Sequence, residues 1–149
     1  MVYIIIIALI ASFDLITKRY INKHYAPGEI KELIKDKLYI RHIKNSGFSF
    51  SMHSGHIRTV SSVAVSLTAV LISYLIHLLP QKDHMLLKTG IAFSAGGSIG
   101  NLYERLFKKK VTDFLYIKFK KAPIFNVADI FIFLGSFIIM AASFRKKNI

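Results

Sequence analysis

Long apolar runs alternate with short polar segments along the chain. Four of the runs stand out. The first is Val2 to about Thr17, "VYIIIIALIASFDLIT". The second is Thr59 to Leu79, closed by Pro80. The third runs from about Met85 to Leu106, and the fourth from about Ile124 to Phe144. A helix that crosses a bilayer needs roughly 17 to 25 mostly apolar residues. The pattern therefore predicts a membrane all-α fold, a four-transmembrane-helix bundle, as one domain over residues 1–149. The first run lacks the basic leading segment of a secretion signal, so it is expected to stay in the protein.

Four crossings put both chain ends on one side. The connections Lys18 to Arg58 and Glu104 to Pro123 then share the other side. Within the first, "KLYIRHIKNSGFSF" alternates like a strand and carries a turn at Asn45-Ser46-Gly47. A small β element on the membrane surface, between helices 1 and 2, is expected there.

The polar residues inside the runs are not scattered. Asp14 and Lys18 fall at the end of span 1. Asn101, Glu104 and Arg105 fall at the end of span 3. Asn126 and Asp129 fall at the start of span 4, with Asp129 about one and a half turns in at roughly 3.6 residues per turn. All lie near one membrane surface. Ionisable groups in such segments are rare, face the protein interior and mark function.

Composition sharpens this. Of 149 residues 53% are hydrophobic, and the net charge is +13. A basic chain can bind nucleic acid, but here the cations sit between apolar runs. They read as basic rims facing membrane phospholipids. The absence of cysteine excludes disulfides, thiolate metal sites and cysteine nucleophiles. His53 and His56 in "HSGH" read as surface-loop residues, and no metal or cofactor is expected. Gly96 and Gly100 are four apart, a spacing that lets helices pack closely. "SAGGSIGN" lacks the Lys-Ser/Thr ending of a phosphate loop. Lys108 to Lys110 read as facing head groups.

Asp113, in "KKKVTDFLYI", follows span 3, so chain order lets it meet Asp129 at the membrane rim. Two carboxylates in one site cannot both ionise easily, so the pair holds a proton. One then activates a water as base, and the other donates a proton as acid. The residues alone also allow another reading, in which Asp129 pairs with Lys18 or Arg105 as packing. A third is a polar cluster that binds lipid or ligand without hydrolysis.

Five segments occur in order: "DLITK" (Asp14 to Lys18), "NSGFSF" (Asn45 to Phe50), "GGSIGNLYER" (Gly96 to Arg105), "VTDF" (Val111 to Phe114) and "FNVAD" (Phe125 to Asp129). Together they resemble the sequence boxes of the signal peptidase II family, the bacterial lipoprotein signal peptidases. The chain looks like a divergent member. Glu104 stands where the third box ordinarily has Asp, and Phe48 and Ser49 where the second has two small residues. The resemblance implies catalytic aspartates at Asp113 and Asp129. It implies supporting or substrate-binding roles for Asp14, Lys18, Asn45, Gly47, Gly97, Gly100, Asn101, Arg105, Asn126 and Ala128. The implied substrate is a prolipoprotein whose lipobox Cys carries diacylglycerol, cut just before that Cys. The implied place is the outer face of the cytoplasmic membrane, with both termini inside and the β element extracytoplasmic. A monomer is favoured. Asp14 and Lys18, four apart on one helix face, are expected to brace the surface loop against the bundle. One feature runs against this orientation. The outer connections would hold 16 of the 21 Lys and Arg, whereas short cytoplasmic loops ordinarily carry the excess.

Overall fold

The computed structural model describes residues 1–46, 57–119 and 122–146. Within them lie four helices: α1 (Val2–His24), α2 (Ile57–Leu78), α3 (Met85–Lys108) and α4 (Val127–Lys146). Four strands accompany them: β1 (Ile30–Ile34), β2 (Leu38–Asn45), β3 (Val111–Ile117) and β4 (Ile124–Phe125). They form one antiparallel sheet in the order β1-β2-β3-β4.

Each apolar run became a helix, but the ends moved. The first helix does not stop near Thr17. It continues six residues beyond Lys18, so Asp14 and Lys18 lie inside α1. The fourth begins at Val127, because Ile124 and Phe125 pair with Tyr116 and Leu115 as β4. Asp129 is thus the third residue of α4, in its first turn, and not one and a half turns in. The predicted β element is also only half of the sheet. β1 and β2 come from the first connection, but β3 and β4 come from the second. β3 escapes an alternation test because its first four residues are all buried. The turn after Asn45 runs into residues outside those described, as do Gly47, Phe48, Ser49, His53 and His56.

Burial in α1 is inverted relative to a protein in water. Its inward face is Ile10, Ala11, Asp14, Lys18 and Ile21, with Asp14 and Lys18 fully buried. Its outward face carries exposed Ile4, Ile5, Leu9, Phe13 and Ile16. Polar inside and apolar outside suits a hydrocarbon surround. By length and composition α2 and α4 are apolar enough to cross a membrane. α1 and α3 bury Asp14, Lys18, Lys88 and Glu104, which lowers their mean hydropathy, while Arg19, Lys23 and Lys108 are exposed toward their ends.

α3 is the central helix, touching α1, α2 and α4. Small residues allow this. A Cβ on Gly96 would come within 2.9 Å of Ile10 on α1, and one on Gly97 within 2.4 Å of the Ala128 carbonyl on α4. Farther along, a Cβ on Gly135 would meet the Gly90 carbonyl at 2.5 Å. α3 ends at Lys109, whose φ of 59° is the left-handed cap conformation. Only Lys110 then separates it from β3, so the strand starts directly above the end of α3.

Candidate active site

The start of α4 organises the site. Asn126 precedes the helix, and its carbonyl accepts from Ile130 N at 3.4 Å. Its side-chain Oδ1 accepts from Asp129 N at 3.0 Å, while Asp129 Oδ2 accepts from Asn126 N at 3.1 Å. This reciprocal pair is a capping box. It satisfies backbone donors that a helix start leaves open and locks the Asp129 carboxylate in place. Another open donor, Ala128 N, bonds to Asp14 Oδ1 at 2.9 Å.

The Asn126 amide then reaches outward. Its Nδ2 donates to Asp113 Oδ1 at 2.7 Å and to Asn101 Oδ1 at 3.0 Å. Asn101 Nδ2 donates to Asp129 Oδ1 at 2.8 Å. Asn45 Nδ2, on β2, donates to Asp113 Oδ2 at 3.1 Å. The two aspartates are therefore held in one network by three amides from three elements. Arg105, half-buried on α3, acts electrostatically on both carboxylates. Asp113 is 3% exposed. Burial, then the charge of Asp129, pushes its pKa up to about 6. Both causes penalise the ionised carboxylate.

Behind this lies a second layer. Lys18 Nζ donates to Asp14 Oδ2 and to Asn101 Oδ1, each at 2.7 Å. The sequence suggested that Asp14 and Lys18 brace the surface loop. Instead they tie α1 to α3 and to the start of α4. Gly100 makes room for this, since a Cβ there would come within 2.4 Å of Asp14 Oδ2. Its role is thus more than helix packing. Lys18 therefore pairs with Asp14 rather than Asp129, which removes half of the packing alternative.

A cleft of about 830 Å³ opens from the carboxylates. Asn45, Asn101, Arg105, Asp113 and Asp129 form its polar end, and Ile130, Phe133 and Leu134 extend an apolar wall along α4. Clefts of this size, mostly apolar with a few converging polar groups, are characteristic of ligand sites. Among the described residues no His, Cys, Asp and Glu cluster could hold a metal.

A sequence model described as signal peptidase (SPase) II matches residues 6–145. The chain belongs to the signal peptidase II family, a family of aspartic peptidases. It is 36% identical to a lipoprotein signal peptidase of Clostridium novyi, over 99% of this chain and 97% of that protein. It is 32% identical to one from Lactobacillus johnsonii, over 92% and 88%. Two solved bacterial membrane enzymes share the fold. One has a TM-score of 0.84 at 23% identity, covering 98% of this chain and 89% of that one. The other has 0.79 at 24%, covering 95% and 91%. The chain is a membrane protein and a peptide hydrolase by this membership.

Of the twelve site residues expected from sequence, eleven fall within the described residues, and Gly47 does not. Asp14, Lys18, Asn45, Asn101, Arg105, Asp113, Asn126, Ala128 and Asp129 converge through the contacts above. Gly97 and Gly100 act through the space they leave. Sequence reasoning missed Asn22, Lys44 and Thr112, which lie behind β3. The segment Asn126 to Asp129 was singled out for its residues but not as a helix start, although an Asn followed three residues later by an acid ahead of an apolar run is a readable one.

Proposed function

We propose that this chain is an aspartic endopeptidase of the bacterial cytoplasmic membrane, one domain over residues 1–149. It removes signal peptides from prolipoproteins, cutting just before a lipobox Cys that carries diacylglycerol. Asp113 and Asp129 are its catalytic pair. The observation that carries this reading is the Asn126 side chain, which binds both aspartates at the polar end of an apolar cleft. The family gives the substrate class.

Asp113 retains a proton up to about pH 6, so below that the pair can hold one proton between two carboxylates. The ionised partner takes a proton from water as the water attacks the scissile carbonyl. The protonated partner donates to the carbonyl oxygen, and a proton later passes to the leaving amine. Asn45, Asn101 and Asn126 hold the carboxylates at fixed orientations, so little reorganisation is needed when charge moves. Arg105 offers a forked donor to a carboxylate or substrate carbonyl. The apolar wall of α4 suits the signal-peptide helix and the acyl chains.

All four helices cross the membrane in this reading, with the sheet outside and both termini inside. The outward apolar face of α1 supports a crossing by a helix that also carries Asp14 and Lys18. The excess of outer cations is accommodated because Lys18 and Arg105 belong to the site and the tail carries Arg145, Lys146 and Lys147. Membrane phospholipids surround the bundle. A diacylglyceryl-modified lipobox peptide should be cleaved by the parent protein and not by Asp113→Asn or Asp129→Asn. Parental rates in both variants would remove the two-aspartate mechanism. Retention of the peptide without cleavage by the parent would favour a binding role for the same cluster.

A further inference from the structure

β3 carries Asp113 toward the cleft, and side chains alternate along a strand. Its neighbour Thr112 must therefore point away from the cleft, into the space behind the sheet. Thr112 is fully buried there. It is gripped by Glu104, which α3 brings to the same place. Thr112 N donates to Glu104 Oε2 at 2.7 Å, and Thr112 Oγ1 donates to Glu104 Oε1 at 3.1 Å. Glu104 is itself fully buried, and a carboxylate in that setting is retained only when it is well paired.

Four further groups complete the grip. Lys108 Nζ lies 2.9 Å from Glu104 Oε1 and Lys18 Nζ 4.0 Å from Oε2. Lys44 Nζ donates to Thr112 Oγ1 at 2.9 Å from the adjacent strand, where Lys44 stands opposite Thr112 in the register. Asn22 Nδ2 on α1 adds a contact to the same hydroxyl at 3.1 Å. None of these groups touches the cleft.

We infer that Glu104 is a positioning residue for the reaction: by holding Thr112 from behind, it fixes which way Asp113 faces. A strand that slips by one residue turns every side chain to the opposite face, so a grip on residue 112 is a grip on residue 113. The bulge in β2 between Ile40 and Ile43 lies just where the pairing register is least constrained by the ladder. The Glu104 contact anchors the strand on the far side of that bulge, where Lys44 and Asn45 pair with Thr112 and Val111. Lys18, at 4.0 Å, is the loosest contact of the clamp, so the grip acts on Asp113 and leaves the cap that holds Asp129 to its own bonds. The inference rests on the peptidase reading only for its kinetic consequence.

Two measurements test it. The first is cleavage of a diacylglyceryl-modified lipobox peptide by Glu104→Ala, Glu104→Gln, Thr112→Val and Thr112→Ser. The second is hydrogen exchange at the Thr112 amide in the same purified proteins. Glu104→Ala should lower kcat by more than about tenfold with KM within about twofold, since the cleft is untouched. Thr112→Val should lower kcat by several-fold. Thr112→Ser keeps the hydroxyl, and Glu104→Gln keeps an acceptor oxygen for the amide, so both should stay nearer the parent. The Thr112 amide should exchange about tenfold faster or more in Glu104→Ala, with α4 amides unchanged. Parental kcat in Glu104→Ala would overturn the inference. So would an unchanged Thr112 exchange rate, or acceleration shared equally by α4, which marks general destabilisation. If the parent does not cleave the peptide, the peptidase reading falls, and the exchange rates alone decide the clamp.

Discussion

The two ends of the α3–α4 contact are built from the same material and do different work. At one end Gly90, Ser94 and Gly135 bring the helices together, and a Cβ on Gly135 would meet Ser94 Oγ at 2.3 Å. None of the proposed catalytic residues lies there. At the other end Gly97 brings α3 equally close to Ala128, and that approach sets Asn101 against Asp129 and Asn126. Close approach is packing where its neighbours are apolar. It becomes placement where the next residues are a helix cap and two carboxylates.

The largest break in the comparison is expected from the aspartates themselves. Asp113→Asn or Asp129→Asn should reduce cleavage of the lipobox peptide by about 10³-fold or more per folded molecule; the melting temperature should also fall, because one oxygen that accepts a hydrogen bond becomes a donor in each variant. Gly97→Ala comes next. Its Cβ would force the first turn of α4 away from α3 and should cost about tenfold or more in kcat per folded molecule. Gly135→Ala is the matched control. Overpacking should cost roughly 1–3 kcal/mol of stability, seen as a lower melting temperature, while kcat per folded molecule stays near the parent. If both glycine variants lose activity in proportion to folded protein, the two ends do not differ.

A pH profile sharpens the polar end alone. With Asp113 raised to about 6, the singly protonated pair loses its proton as pH rises through that value. The alkaline limb of kcat/KM should therefore fall from about pH 6. The limb of kcat should lie higher, because a bound signal peptide excludes water and disfavours the ionised form further. The linked effect on folding has the same sign. A carboxyl whose folded pKa is raised from 3.8 to about 6 destabilises the fold as pH rises across that interval. The smallest effect is expected at Lys118, which pairs with Asp36 on the exposed sheet at 2.8 Å. Lys118→Ala should leave both melting and cleavage unchanged, as exposed pairs contribute little.

Legibility followed the range of the interaction. The four apolar runs were readable as helices because a run of about twenty mostly apolar residues declares itself without any distant partner. The candidate site residues were readable as five ordered boxes, and the described ones lie close together in the fold. β3 was not readable. Its buried first half, Val-Thr-Asp-Phe, does not alternate between apolar and polar residues, and only pairing with the distant β2 makes it a strand. The second layer was hidden for the same reason. Nothing local distinguishes Thr112 or Asn22 from an ordinary polar residue until α1, α3 and β2 converge on them. Asp14 and Lys18 were recognised but misjudged, because their partners at Ala128 and Asn101 lie on other helices.

Residue order alone was enough for the family, for the four helical runs and for naming Asp113 and Asp129 as candidates. Those depend on residue type and on spacing along the chain, and both survive without a fold. Packing alone established that Asp129 sits in the first turn of α4, that Asn126 is its cap, and that Gly100 holds space for Asp14. It also decided which carboxylate is buried enough to keep a proton near pH 6. Those are facts of distance and of water exclusion. They arise only when segments far apart in the chain are packed against one another.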